Sequence, residues 1–264
     1  MTRNFSVLPA IKIGAFLLFL LLLLIHSPSM SQTRIKLDSV KAIEHNLKGQ
    51  ERIDALKYLT QEYAYIDMDS AKLYLSLLAD YATQIDDARA LAIAALLKGN
   101  FLYDEGKYVE AQKYNREALD RSKHIQDTGI IARSYLNIGS TADASGVKDS
   151  AIINYLNAIE YFELLEDSVN SAYLKINIGL VFKSLEEYPK ALGYYKDALT
   201  ELVRLKDDFG ITTVNTNLAS LLIEMNEYDS AIYYGKKGVD GYNNLGYPAY
   251  TMFPLRSWRM PTFN

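Results

Sequence analysis

Few side chains in this sequence could make or break a bond. Ser145-Gly146-Val147-Lys148 has the S-x-x-K spacing in which a lysine can activate a serine nucleophile. It stands without a supporting motif, in a short polar stretch that reads as a turn between helices. Asp67-Met68-Asp69 begins like a calcium loop but lacks the glycine and the acidic twelfth ligand that complete one, so it reads as a turn and helix cap. The three histidines, His26, His45 and His124, are far apart, and there is no cysteine. Zinc ribbons, thiol catalysis, iron–sulfur clusters and disulfide frameworks are excluded. No HExxH, P-loop, GxGxxG or GxSxG occurs. The expectation is a chain that is not an enzyme and uses no metal and no cofactor.

One polar column does stand out. Asn137, Asn177 and Asn217 are forty residues apart. Each carboxamide carries a donor and an acceptor. A ladder of them could hydrogen-bond the backbone of an extended peptide with little regard for its side chains. The same amides could instead tie each repeat to its neighbour, and the spacing leaves both readings open.

The elements that hold this column are set by a forty-residue period. Ala71, Ala111, Ala151, Ala191 and Ala231 keep it without a slip. So do Gly99, Gly139, Gly179 and Ala219, and so do Asp87, Asp127, Asp167 and Asp207. Within a unit, Ala191, Tyr195, Ala198 and Leu202 fall on one helical face, as do Leu174, Ile178, Val181, Phe182 and Leu185. Each unit therefore reads as two helices joined by a short turn such as Glu105-Gly106-Lys107. The Asp87 column suits the N-cap of each first helix; Asp149-Ser150 and Asp229-Ser230 suit a cap of the second. Small residues belong where two helix axes cross at about 8–10 Å. One hairpin cannot bury its own apolar face, so the units must stack into an all-α solenoid. Most of the recurring tyrosines, Tyr108, Tyr188 and Tyr228 or Tyr114, Tyr194 and Tyr234, are expected to pack.

A forty-residue period also suits HEAT-like arrays, and the internal register decides. Leu97-x-Gly99-x2-Leu102, Tyr108-x2-Ala111 with Ala118-Leu119, and Tyr188-x2-Ala191-x3-Tyr195-x2-Ala198 resemble the tetratricopeptide repeat. The resemblance spans five repeats, at about 50–87, 88–127, 128–167, 168–207 and 208–247, preceded by a helical segment over 32–49. It departs from the family in lacking the terminal proline and in six extra residues per unit. It implies a right-handed superhelical solenoid whose first helices line a concave groove. The groove positions it implies are Asn100, Tyr103 and Asp104, then Arg133, Ser140 and Asp143, then Tyr173 and Lys183, then Thr213, Thr216 and Ser220, around the asparagine column. Some members use asparagine ladders to hold extended polypeptides. The lining lacks the lysines and arginines of a carboxylate clamp, so a neutral or mildly charged peptide is the expected partner. The alternative is the sensory part of a membrane-bound receptor, a histidine kinase or helix-turn-helix regulator, since exported arrays of this style look like such regions.

Charge and the two ends of the chain complete the picture. The 264 residues carry a formal net charge of −4 and are 49% hydrophobic. The absence of a basic excess argues against a nucleic-acid partner. Arg3 and Lys12 precede the apolar run Ile13–Ile25, whose thirteen residues cover about 20 Å of the roughly 30 Å hydrocarbon core. With Ser29-Met30-Ser31 behind it, this reads as a signal peptide over 1–31, cut between Ser31 and Gln32. The alternative is an uncleaved anchor in the inner membrane. Export to a periplasmic or extracellular space is expected, with a mature charge of −6. Pro248, Pro254 and Pro261 crowd residues 248–264, and Arg259 and Pro261 break the repeat there. That tail is expected to be a strap anchored by Phe253 and Trp258, or the end of a truncated chain.

Overall fold

A computed structural model describes residues 30–247. The apolar run of the expected signal peptide and the tail with Phe253, Trp258, Arg259 and Pro261 lie outside them. Eleven helices follow one another among the described residues, with no strand: α1 (Met30–Ile43), α2 (Gly49–Tyr63), α3 (Met68–Gln84), α4 (Ala88–Asp104), α5 (Tyr108–His124), α6 (Thr128–Ala144), α7 (Lys148–Leu164), α8 (Ser168–Ser184), α9 (Tyr188–Leu205), α10 (Asp208–Glu224) and α11 (Tyr228–Asn244). A single 3-10 turn, Glu44–Asn46, follows α1. The expected all-α solenoid of helix pairs is the observed architecture.

The forty-residue period is built from two nearly equal halves. Backbone φ turns positive at Asp86, Gly106, Gln126, Gly146, Glu166, Glu186, Lys206, Asn226 and Gly246, once every twenty residues. At each, the following N–H reaches back to the carbonyl five residues earlier, from Asp87 to Ala82 at 2.9 Å through Tyr247 to Tyr242 at 2.8 Å. This closure satisfies the orphan carbonyls of every helix end and aims the chain into the next helix. Six of these left-handed positions are not glycine, at a steric cost that the closed hydrogen bonds offset.

Helix starts differ between the two halves. Asp87, Asp127, Asp167 and Asp207 cap α4, α6, α8 and α10, each carboxylate accepting the N–H three residues on. The second helices have no such cap. Lys107, Val147, Glu187 and Glu227 occupy their N-cap positions without a side-chain bond. Asp149 and Asp229, expected as caps, lie inside the first turn instead, because the left-handed residue places the helix start two positions earlier. There they face the positive end of the helix dipole. Pro189 also falls in the first turn, where its missing N–H costs little. Asp67 is a turn and cap: Ser70 donates its hydroxyl and its N–H to the carboxylate.

Two compact units divide the chain, one running to Tyr81 and the other beginning at Ala82. In the first, Ile53, Leu56, Leu59, Leu75 and Leu78 are buried. Tyr63 and Tyr74 stack at 5.3 Å, and the Gly49 N–H donates to the Tyr81 hydroxyl at 2.7 Å. In the second, α4 packs on α5, α6 on α7, α8 on α9 and α10 on α11, and each pair packs on the next. One apolar core runs continuously from α6 to α11.

At the crossings the small residues make room for a ring. The Tyr155 ring lies over Gly139 and the Tyr195 ring over Gly179, where an added Cβ would meet ring carbons at 2.7 and 2.5 Å. Tyr155 and Tyr195 are buried, at 3% and 0% exposure. In the α4–α5 pair the buried Asn115 takes the ring's place over Gly99.

Candidate functional site

The face of the second unit formed by α4, α6, α8 and α10 carries the asparagine column, and its members meet different fates. Asn137 on α6 donates through Nδ2 to Asn100 Oδ1 on α4 at 2.6 Å. This is the bracing arrangement, one repeat tied to its neighbour across 37 residues. The residue 37 before Asn177 is Ser140, whose hydroxyl accepts instead from Tyr155 Oη at 3.3 Å. The residue 37 before Asn217 is Leu180, which offers nothing to an amide and is 41% exposed. Asn177 is half-buried and Asn217 is 7% exposed, and neither has a hydrogen-bond partner among the described residues.

Most other residues of the expected groove are engaged by the fold itself, some across repeats and others within their own. Lys183 on α8 donates to Ser220 Oγ at 2.7 Å, again 37 residues away, and pairs with Glu224 Oε1 at 3.0 Å on α10. Asp143 pairs with Lys148 at 2.6 Å. Arg133 donates through Nε to Gly129 O at 3.2 Å, with its guanidinium in the field of Asp127 and Asp167. Tyr173 is buried; burial first, and then the Asp207 carboxylate that caps α10, push this phenol well above its ordinary range. Tyr103 packs its ring against Tyr108 at 5.4 Å. Thr213 and Thr216 bond back to the carbonyls of Phe209 and Thr212, at 3.0 Å each. Asn100 is the acceptor of the Asn137 brace, and Asp104 is exposed.

A second brace runs along the N-terminal ends of these helices. Arg89 Nε bonds Asp127 Oδ2 at 2.7 Å. Burial opposes ionisation of Asp127, but the Ile130 N–H and Arg89 outweigh it and hold the carboxyl below its ordinary value. Asp127 thus caps its own helix and receives the previous repeat. Neither Arg89 nor Glu224 stands out in the sequence by type or motif. Spacing identifies Arg89, because the cross-repeat hydrogen-bond partners are separated by 37 or 38 residues, slightly less than one period, whereas Glu224 lies 41 residues after Lys183 and follows no such offset.

The candidate site is therefore a short stretch of α8 and α10, with two amides lacking partners and exposed Leu180 on α8 at the position 37 before Asn217. Among the described residues no cluster of three or more His, Cys, Asp or Glu could hold a metal ion. No helix there is long and apolar enough to cross a membrane.

No family model matches the chain, and no curated protein sequence matches it. Solved structures do. BtubC from P. vanneervenii is 21% identical, with a TM-score of 0.57 over 72% of this chain and 74% of that one. A Rap protein complexed with competence and sporulation factor is 16% identical, with a TM-score of 0.67 over 80% of this chain and 59% of its own. A signal-transduction ATPase with a tetratricopeptide repeat sensor, from Pyrococcus horikoshii, is 17% identical, with a TM-score of 0.68 over 79% of this chain. The chain spans only 59% of the Rap protein and 33% of the ATPase. These likenesses are of fold: the chain is a tetratricopeptide-like helical solenoid.

Proposed function

We propose that this protein is a non-catalytic scaffold that binds an extended polypeptide along its first-helix wall. The observation that carries the reading is the pair of amides without partners, Asn177 and Asn217, beside exposed Leu180. Peptide backbone supplies alternating N–H and C=O groups that match such amides, and an apolar side chain of the peptide can cover the leucine. The complex of a Rap protein of like fold with competence and sporulation factor supports a binding role. A peptide selected from a random library against the full chain is expected to lose at least tenfold in affinity in N177A/N217A. That variant is expected to keep its helical circular dichroism. Peptide binding unchanged in N177A/N217A, and lost only when N137A loosens the repeats, would overturn the reading.

Export is part of the proposal. The basic residues Arg3 and Lys12 ahead of Ile13–Ile25 support a secretory signal, with the mature chain starting at Gln32 in the periplasm or beyond. N-terminal sequencing after cell fractionation tests it; an intact Met1 recovered from membranes would make the segment an anchor. A sensory role within a membrane-bound receptor is the second reading, favoured by the repeat sensor of the ATPase with like fold.

A further inference from the structure

A cleft of about 500 Å³ lies away from the amide column, between α9, α10 and α11. At Gly241 the space that a Cβ would take is filled by Thr212, whose Oγ1 would lie 2.2 Å from it, and the cleft opens beside this close contact. In two of the other pairs, a residue on the first helix meets one on the second, 26 positions on. Tyr135 stacks on Tyr161 at 5.7 Å, and Lys175 bonds Glu201 at 2.7 Å. The corresponding residues in the last pair are Asn215 and Gly241, and both line the cleft. Asn215 is 3% exposed, and its Oδ1 has no hydrogen-bond partner. An unmet acceptor at that depth is costly to the fold, so its retention points to a ligand.

What surrounds that acceptor sets the ligand's chemistry. Thr212, also in the lining, donates its hydroxyl hydrogen to Asp208 O at 2.7 Å, which leaves its oxygen as an acceptor. The carboxylates of Asp208 and Asp240 stand at the rim, and no ion pair engages either among the described residues. Lys237, the one cation of the lining, sits 4.5 Å over the Tyr233 ring. The walls are aliphatic, from Leu199, Val203 and Ile211. Acceptors, negative charge at the rim and aliphatic walls together fit a cation on a methylene stem. We infer that this cleft binds an alkyl guanidinium or ammonium group, the side chain of arginine or lysine. The chain's own Arg256 and Arg259 are one source of that group, and a separate polypeptide is the other.

Titration of the full chain with Nα-acetyl-L-arginine amide, followed by NMR or calorimetry, tests the site. Saturable binding is expected, and none for the uncharged Nα-acetyl-L-norleucine amide. D208N/D240N, which alters exposed residues only, is expected to weaken the arginine probe about tenfold. N215L is expected to weaken it at least as much while keeping its helical circular dichroism. If N215L fails to fold, D208N/D240N decides alone. R256Q/R259Q separates the sources: tighter probe binding makes the chain's own arginines the competing occupant, and unchanged binding makes the source external. Equal binding of the two probes, no effect of D208N/D240N, or no saturable binding in either the wild type or R256Q/R259Q would overturn the inference. The N177A/N217A variant should leave this titration unchanged, which keeps the two sites experimentally separate.

Discussion

The α8–α9 and α10–α11 pairs meet the same geometric demand from opposite sides. In α8–α9 the first helix carries the small residue, Gly179, and the second carries the ring of Tyr195 that fills the space above it. In α10–α11 the first helix carries Thr212, Thr216 and Ala219, and the second carries Gly235, Gly238 and Gly241. A Cβ on Gly238 would meet Thr216 Oγ1 at 2.6 Å, and one on Gly241 would meet Thr212 Oγ1 at 2.2 Å. Close approach of two helices needs one small partner at each contact, and either helix can supply it. The two solutions differ in their consequences. A ring over glycine seals the crossing with a buried aromatic, whereas three glycines in α11 weaken that helix by up to about 1 kcal/mol each relative to alanine.

The comparison breaks first at Gly179. Gly179→Ala sets a methyl group 2.5 Å from a ring carbon of fully buried Tyr195, which cannot swing away. A net loss of about 1–2 kcal/mol is expected, overpacking exceeding the gain in helix propensity. A melting temperature that does not fall would show that the ring is not locked over the glycine. Next comes the cap that the first helices share: Asp167→Ala removes the carboxylate that accepts from Asn170 N at 3.0 Å, at a cost of about 1 kcal/mol. Asp149→Ala, in the uncapped second helix, should cost less, and equal losses would contradict the assignment of Asp149 to the first turn. In α11 the sign reverses. A Cβ on Gly235 meets only Ala219 Cβ at 3.7 Å, an ordinary contact, so Gly235→Ala is expected to stabilise by about 0.5–1 kcal/mol in denaturant titrations.

What could be read from the sequence is what acts locally or repeats. The Asp87 column announced four caps because an N-cap works within its own turn, and the glycine and alanine columns announced the crossings because they hold a fixed period. The turns were harder to read. Gln126, Glu166 and Lys206 take the left-handed conformation with no glycine to signal it, because the hydrogen bonds at each helix end impose it. The asparagine column illustrates the remaining gap. Three identical residues in register looked equivalent, yet Asn137 has Asn100 opposite it and Asn217 has Leu180. The difference lies in the neighbouring repeat at an offset of 37, not in the column itself. Likewise Arg133 and Tyr173 occupy groove positions by register while their polar groups face the carboxylates of helix caps.

The finest test concerns two phenols in equivalent places. Tyr155 Oη bonds Ser140 Oγ at 3.3 Å, whereas the buried Tyr195 Oη has no partner. Tyr155→Phe should therefore cost up to about 1 kcal/mol, and Tyr195→Phe should be neutral or slightly stabilising because it removes an unmet polar group. Burial pushes both phenols well above their ordinary range. Folding thus favours their neutral forms, and the folded state holds these protons where the unfolded chain has lost them. The stability this supplies is complete below the unfolded value of about 10 and is lost as pH rises from there toward the raised folded values. Tyr195→Phe removes one of the two contributions, so its stability should fall less steeply above pH 10 than that of the wild type. An identical alkaline slope in urea titrations would mean that water reaches the Tyr195 hydroxyl, and the ring would then be a looser lid on Gly179 than the glycines of α11 are on their threonines.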